Sequence, residues 1–435
     1  MSNGAKCGKE LSPGPAAKQR PTSTPLNPRR ANLLAFDIVF ARTSVQAADN
    51  RKADNNKTEE PLDVFSKILK VNTGMENNTH PIVHGDIIKR MGRYATNCDT
   101  CLWPKSADGT VQVPYTLSPK YSADDNNLFM TAMQEFESLT CVRFVNRTQE
   151  VNFLNISSSD GCSSYVGQNG GSQPVFLSPG CIYRGIIQHE LNHALGFLHE
   201  NSRSDRNKYI TVNYQNVIPG KEINFNIQDG TTLGLPYDYT SVMHYGKFAF
   251  TINSSLPTIT PIPDPNVSIG QIDGLSVLDV AKINKRYNCN VSSRLLNTPE
   301  GDFSSTNYPS NYPDNMNYVF LIRTPDGQVA LTFNDFDLQI SPNCTSDHIR
   351  IYDGPSRRAP ILLNNTCGTS QIPTVIGSTN QMLMEFVSDA AISSRGFSAS
   401  YNTGEEQGNG VYSQGNLNGN IGRNFYSEDN DDLYD

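Results

Sequence analysis

Residues 188–200 read QHELNHALGFLHE and hold three of the chain's seven histidines, His189, His193 and His199. On a helix, His189 and His193 are offset by about 40° and ~6 Å, so both imidazoles can meet at one point. Neutral imidazole suits zinc. Glu190 lies on a neighbouring face, where it can reach a metal-bound water without ligating. His199 breaks the spacing. On a continuous helix it would sit about 240° round and ~9 Å further along, facing away from the metal. The chain must therefore turn back between His193 and His199. Gly196 permits this, because glycine reaches left-handed φ without a Cβ penalty and commonly ends helices. One short string thus dictates a helix, an abrupt stop and a returning segment.

A second part of the centre is expected downstream, in SVMHYG (Ser241–Gly246). Met243 alone would be a core residue and Tyr245 a packing residue. After a zinc-histidine helix they read as the methionine turn beneath the metal in metzincins. Around these motifs, GTVQVPYTL alternates as a strand does. SADDNNLFMTAMQEFESLT reads as a helix capped by Ser122 and Asp125, with Phe129, Met133 and Phe136 on one face. DGLSVLDVAKINKRY reads as a second capped helix, starting at Asp273 and ending before Cys289. Residues 294–401 carry short alternating segments such as YVFLIR and HIRIYDG, the pattern of an all-β sandwich. Residues 48–80 are polar and read as loosely folded, with PLDVFSKILKV as their one short amphipathic piece. KRMGRYA offers basic sites to a processing protease.

Of nine cysteines, eight remain when Cys7 is set aside: Cys98, Cys101, Cys141, Cys162, Cys181, Cys289, Cys344 and Cys367. The even number joins nine N-x-S/T sequons, at Asn56, Asn77, Asn146, Asn155, Asn253, Asn266, Asn290, Asn343 and Asn364. Together they favour a secreted, oxidised glycoprotein. Arg29-Arg30 followed by ANLLAFDIVFARTSVQA supplies an atypical signal ending near Ala47, interrupted by Asp37. No stretch reaches the ~18 apolar residues of a membrane span. The net charge of -8 is localised: from Asn402 onward seven acids face only Arg423, which accounts for -6 of it. The rest is near neutral, which argues against nucleic-acid binding. The Gly/Asn/acid-rich tail is expected to be disordered.

The string HELNHALGFLHENSRSDRNKYI with SVMHY resembles the astacin family of zinc endopeptidases, whose pattern is H-E-x-x-H-x-x-G-F-x-H-E-x-x-R-x-D-R-D and then S-x-M-H-Y. Only Asn207 departs, in place of the last Asp. The resemblance covers about 94–289. It implies that His189, His193 and His199 bind one zinc, that Glu190 is the general base, and that Tyr245 is a movable extra ligand stabilising the oxyanion. It implies that Glu200 meets the buried amino terminus of the processed enzyme. It pairs Cys141 with Cys289 and Cys162 with Cys181. Cys98 and Cys101 then form a small extra disulfide, and CDTCLWPKSADGTVQVPY looks most like the hatching-enzyme branch. VHGDI (Val83–Ile87) resembles the family's F-x-G-D latency motif, which maps the zinc-occupying aspartate onto Asp86, with Val83 replacing the Phe. Processing after Arg93 would release a chain starting at Tyr94.

Residues 294–401 resemble a CUB domain, through GDFSSTNYPSNYP, FNDFDLQ, DHIRIYDG and SSRGFSASY. A typical CUB has four cysteines; here Cys344 and Cys367 remain, and Tyr318 stands where the second is expected. Many CUBs bind calcium through Glu, Asp and Asp. Here Gln339 replaces the Glu beside Asp347 and Asp389, which weakens a site for a hard cation and leaves calcium doubtful.

The expected fold is an α+β metzincin catalytic domain with a zinc-binding active-site helix, followed by an all-β CUB sandwich. The expected organisation is leader 1–47, propeptide 48–93, protease 94–289, CUB 294–401 and acidic tail 402–435. The expected function is a secreted zymogen endopeptidase, stored in secretory granules in one version, acting on extracellular protein such as an egg envelope. Its partners would be that substrate, an activating protease and a CUB ligand. The alternatives are a tolloid-type protease processing matrix or growth factors, and a non-enzymatic glycoprotein binding through the CUB.

Overall fold

The computed structural model describes residues 63–73, 80–89, 101–228 and 230–404. The leader, Arg93, Tyr94, Cys98 and residues beyond Gly404 lie outside them.

The first sheet contains β1 (Ile82–Val83), β2 (Ile87–Ile88), β3 (Val111–Leu117), β4 (Val142–Asn146), β5 (Phe153–Ser157), β6 (Cys162–Ser164) and β7 (Ser172–Leu177), ordered β1-β2-β6-β7-β5-β3-β4. Helices α1 (Val64–Thr73), α2 (Ala123–Leu139), α3 (Arg184–Ala194) and α4 (Val277–Arg286) complete this part of the fold. A short antiparallel pair, β8 (Ile210–Val212) and β9 (Ile259–Pro261), lies between α3 and α4 in the chain.

Helix α2 forms as its pattern predicts. Ser122 and Asp125 cap it reciprocally, and Phe129, Met133 and Phe136 are buried. Helix α4 starts later than the sequence reading had it. Gly274 has φ +126°, outside the helical region, so no helix can begin at Asp273. Ser276 and Asp279 form the capping box instead.

The reading of 48–80 as loosely folded also needs correction. Residues 64–73 are helical, and Val64, Phe65 and Ile68 are fully buried. Asp63 accepts from Ser66 N at 2.9 Å and starts the helix, while Val64 N donates to Gly270 O at 3.0 Å. The amphipathic piece PLDVFSKILKV is thus helical from Val64 on, and its apolar face is covered by a distant part of the chain.

The C-terminal part is a sandwich. One sheet holds β10 (Ser292–Leu296), β12 (Asn317–Arg323), β14 (His348–Tyr352), β15 (Ile361–Thr366) and β17 (Gln381–Val387); the other holds β11 (Glu300–Ser304), β13 (Gln328–Asp337), β16 (Val375–Ile376) and β18 (Gly396–Gly404). Aromatic rings fill the space between, as in the edge-to-face contact of Phe386 and Phe397 at 5.6 Å. The first strand starts at Ser292, ahead of the expected boundary at 294. The last runs through Asn402–Gly404, because those residues pair with Glu300 and with Gln328–Ala330. The start of the segment expected to be a disordered tail is therefore strand.

Disulfides join Cys141–Cys289, Cys162–Cys181 and Cys344–Cys367. The first closes 148 residues, worth up to about 5 kcal/mol on the chain-entropy model. It ties the end of α2 to the chain just before the sandwich. Leu295, Val319, Leu321, Tyr352 and Leu383 of the sandwich join the core around α2.

Among these apolar contacts lies Glu135 of α2, fully buried, with Arg323 Nη1 of β12 2.7 Å from its carboxylate. Burial alone would raise this carboxyl, but Arg323, Arg184 and two side-chain amides hold it below the usual glutamate range. A depressed pKa stabilises the fold above about pH 4.3, and the contribution is lost as pH falls through the folded value. Glu135→Gln is expected to cost about 1.5–3 kcal/mol at pH 7 and to flatten the acid side of the Tm–pH curve. Curves of equal slope for variant and wild type would show no proton-linked stability at this residue.

Candidate metal centre and active site

Helix α3 carries the first half of the centre. It docks closely: a Cβ on Gly185 would collide with the carbonyl of Ile272. It ends as the spacing of its histidines requires. Gly196 has φ +98° and donates its N–H to His193 O at 2.8 Å, while Phe197 N returns to Asn192 O at 3.1 Å. A Cβ at Gly196 would find space but not a favoured backbone angle. The reversal also turns the Phe197 carbonyl back toward the helix, where it accepts from His193 Nδ1 at 2.8 Å.

Three imidazoles converge. His193 Nε2 and His199 Nε2 are 3.2 Å apart, and His199 Nε2 and His189 Nε2 are 3.3 Å apart. Bonds of 2.0–2.1 Å to a tetrahedral ion would set the nitrogens about 3.3 Å apart. His189 Nδ1 donates to Val242 O at 2.8 Å. The carbonyl partners put the Nδ1 proton on His189 and His193 and leave each Nε2 free to ligate. Burial pushes His199 down to about 3, against the pull of Asp86.

Asp86 is the fourth member of this buried group. Its Oδ2 lies 2.9 Å from His189 Nε2, and its Oδ1 lies 3.2 Å from His199 Nε2 and 3.6 Å from His193 Nε2. Burial would raise its carboxyl, but the facing imidazoles, His199 first, hold it well below the usual range. Three imidazoles and a carboxylate form a donor set that fits one zinc ion.

Glu190 stands beside this group but outside it. It is fully buried, and neither carboxylate oxygen has a hydrogen-bond partner. Burial, and then the charge of Asp86, hold its carboxyl well above the usual range. An orphaned acid next to converging imidazoles is what a cation or its bound water would satisfy.

Tyr245 is also fully buried, with its ring 4.7 Å from that of His199. Its O–H donates to His84 O at 2.7 Å, and Phe65 of α1 stacks on its ring at 3.6 Å. Tyr245 is thus engaged by the segment ahead of the protease domain. That segment is pinned at several points. Ile87 of β2 pairs with Ser164 on the edge of the sheet, and Ser164 N donates to Asp86 O at 3.0 Å. Asn72 Nδ2 bonds Gly85 O and Cys162 O, and its Oδ1 accepts Cys162 N, all at 2.8 Å. Sequence reasoning missed Phe65 and Asn72. The apolar spacing of Val64, Phe65 and Ile68 marked a helix face, but nothing local says which surface covers it.

Met243 is buried, and its carbonyl accepts Glu200 N at 2.9 Å. Asp279 of α4 secures this turn, accepting from Ser241 Oγ at 2.6 Å and Val242 N at 2.9 Å. Asp279 was read only as part of a helix. Glu200 is buried against Lys282 Nζ at 2.7 Å and Arg203 Nη1 at 3.0 Å. A cleft of about 640 Å³ opens here, lined by Ile82, His84, His199, Met243 and Lys282 among others.

In the sandwich, the Asp347 carboxylate accepts from Asp389 N at 2.8 Å and from the Tyr312 hydroxyl. Among the described residues, the group around Asp86 is the only cluster of three or more His, Cys, Asp or Glu side chains close enough to share an ion.

The astacin peptidase family matches residues 99–288, and the CUB domain family matches residues 289–401. Embryonic protein UVS.2 of Xenopus laevis is 52% identical over 373 residues, covering 85% of this chain and 72% of that protein. High choriolytic enzyme 1 of Oryzias latipes is 45% identical over 231 residues, covering 52% of this chain and 84% of that protein. The solved structure of that hatching enzyme zinc-protease covers 46% of this chain and 100% of its own, at 46% identity and a TM-score of 0.43.

Proposed function

The chain belongs to the astacin family of zinc metalloendopeptidases, and from that premise we propose a secreted zymogen that, once processed, hydrolyses extracellular proteins of the egg envelope. The observation that carries this reading is Asp86, buried against all three imidazoles while Glu190 stays unpartnered beside them.

In this reading His189, His193 and His199 hold zinc. The bound ion would supply Lewis acidity, lowering the pKa of a coordinated water and polarising the scissile carbonyl. Glu190 takes the proton of the attacking water on its carboxylate. Its burial disfavours the anion, so the proton is retained until the leaving amide nitrogen accepts it. Tyr245, released from the His84 carbonyl, turns its O–H to the carbonyl oxygen as negative charge develops there. Met243 and Asp279 keep the turn beneath His189 in place. Gly196 ends α3 so that His199 can return.

Latency follows from the same contacts. Asp86 takes the position of water and substrate, and β2 takes the edge of β6, where a peptide backbone could otherwise pair. Cleavage after Arg93 by a protease preferring basic residues would let both leave. Glu200 would then exchange part of its contact with Lys282 and Arg203 for the new amino terminus at Tyr94. Secretion is supported by the disulfides and by the sequon asparagines, which are exposed wherever they fall among the described residues. No helix among the described residues is long and apolar enough to cross a membrane. The egg-envelope substrate is supported by the choriolytic relative. The CUB domain offers a further surface for a ligand.

The processed chain is expected to cleave casein and to solubilise isolated egg envelopes. Phenanthroline should abolish both activities, and added zinc should restore them. Casein cleavage without envelope solubilisation would reject the envelope as substrate. Hydrolysis that survives chelation would reject the centre.

A further inference from the structure

Glu135 is a buried charge shared by two domains. From the protease side, Gln188 Nε2 donates to Oε2 at 3.0 Å and Arg184 Nε lies 3.6 Å from Oε1. From the sandwich, Arg323 Nη1 donates to Oε2 at 2.7 Å and Gln381 Nε2 donates to Oε1 at 2.6 Å. Arg184 opens α3, and Gln188 immediately precedes His189. The sandwich thus reaches the active-site helix through one carboxylate.

A second route starts from the same arginine. Arg323 Nη2 donates to Leu275 O at 2.6 Å, and Leu275 N donates to Gln188 Oε1 at 2.8 Å. The next residue, Ser276, caps α4. In the first turn of α4, Asp279 fixes Val242 N at 2.9 Å. The carbonyl of Val242 orients His189 at 2.8 Å. The backbone of His189 is therefore steadied through Gln188, and its ring through Val242. Both supports lead back to Arg323.

Adhesion alone is a poor reason for this arrangement. Apolar residues of the sandwich already join the protease core, and desolvation offsets most of what a buried ion pair gains. What the charged pair adds is direction.

We propose that the sandwich domain is part of the scaffold of the catalytic centre: Arg323 and Gln381, acting through Glu135, set the rotation of α3 and so the aim of His189. These are positioning residues, since none touches the centre itself. The inference rests on His189 being a zinc ligand.

The test uses the full-length chain loaded with zinc, with release followed by a chelating dye, and then kcat and KM of the processed chain. Glu135→Leu/Arg323→Met replaces the pair with apolar side chains and is expected to melt within a few degrees of wild type. Zinc should nevertheless leave about 10-fold faster, and kcat should fall about 10-fold with KM little changed. Arg323→Met alone leaves the carboxylate without its nearest cation and should lose both stability and zinc retention. Wild-type zinc release and kcat in the double variant would overturn the positioning role. If the double variant does not fold, Glu135→Gln gives the same reading: faster zinc release with lower kcat supports the role, and unchanged values overturn it. A wild-type chain that neither holds zinc nor responds to phenanthroline would overturn this inference together with the proposed centre, a different result from normal wild type with indifferent variants.

Discussion

Glu190→Ala is expected to keep its zinc and lose its peptidase activity. The two halves of this result separate because Glu190 lies outside the cluster formed by Asp86, His189, His193 and His199. Zinc content by elemental analysis should therefore match wild type. The activity loss should be about 10²–10⁴-fold in kcat, the usual contribution of a positioned acid–base group, with KM nearly unchanged. Normal turnover by the variant would refute the assignment of Glu190. Loss of zinc along with activity would instead make it a ligand.

Asp86→Ala should switch on the uncleaved chain. In the wild type, the Asp86 carboxylate lies 2.9–3.6 Å from the ligating nitrogens of the three imidazoles and is buried with them. Losing roughly 1.4–2.8 kcal/mol of preference for the closed state would shift the closed-to-open ratio about 10- to 100-fold. Activity of the full-length chain is expected to rise about 10- to 100-fold while remaining below that of the processed enzyme. The remainder of the proposed block would be structural. Helix α1 still presents Phe65 to Tyr245, and β2 still occupies the sheet edge. Phe65→Ala added to Asp86→Ala should release Tyr245 and raise activity further. Hydrolysis of a small peptide by uncleaved chains, with processing blocked by Arg93→Gln, measures this directly. A full-length Asp86→Ala chain as silent as wild type would show that latency does not depend on this carboxylate.

The features legible in the sequence are local ones. His189, His193 and Gly196 declare a helix, a shared ion and a stop, because 3.6 residues per turn and the left-handed preference of glycine act over a few residues. The Ser122–Asp125 cap was readable for the same reason. Local reading failed at the start of α4. It placed the start at Asp273, whereas the backbone angle of Gly274 excludes a helix there and Ser276 forms the cap. Over residues 64–73 the amphipathic piece was legible, but the distant surface that orders it was not.

The sequence by itself determined the three histidines that converge, the acid beside them and the two domain types. Tertiary structure alone decided what holds these groups in place. Phe65 finds Tyr245, Asn72 finds Cys162 and Asp279 finds Val242, none of them predictable from spacing. Glu135 meets Gln188 across 53 residues, Arg323 across 188 and Gln381 across 246. Over such separations no backbone periodicity links the partners. They are set by which faces must leave water together, and a buried carboxylate then takes whatever donors that packing supplies.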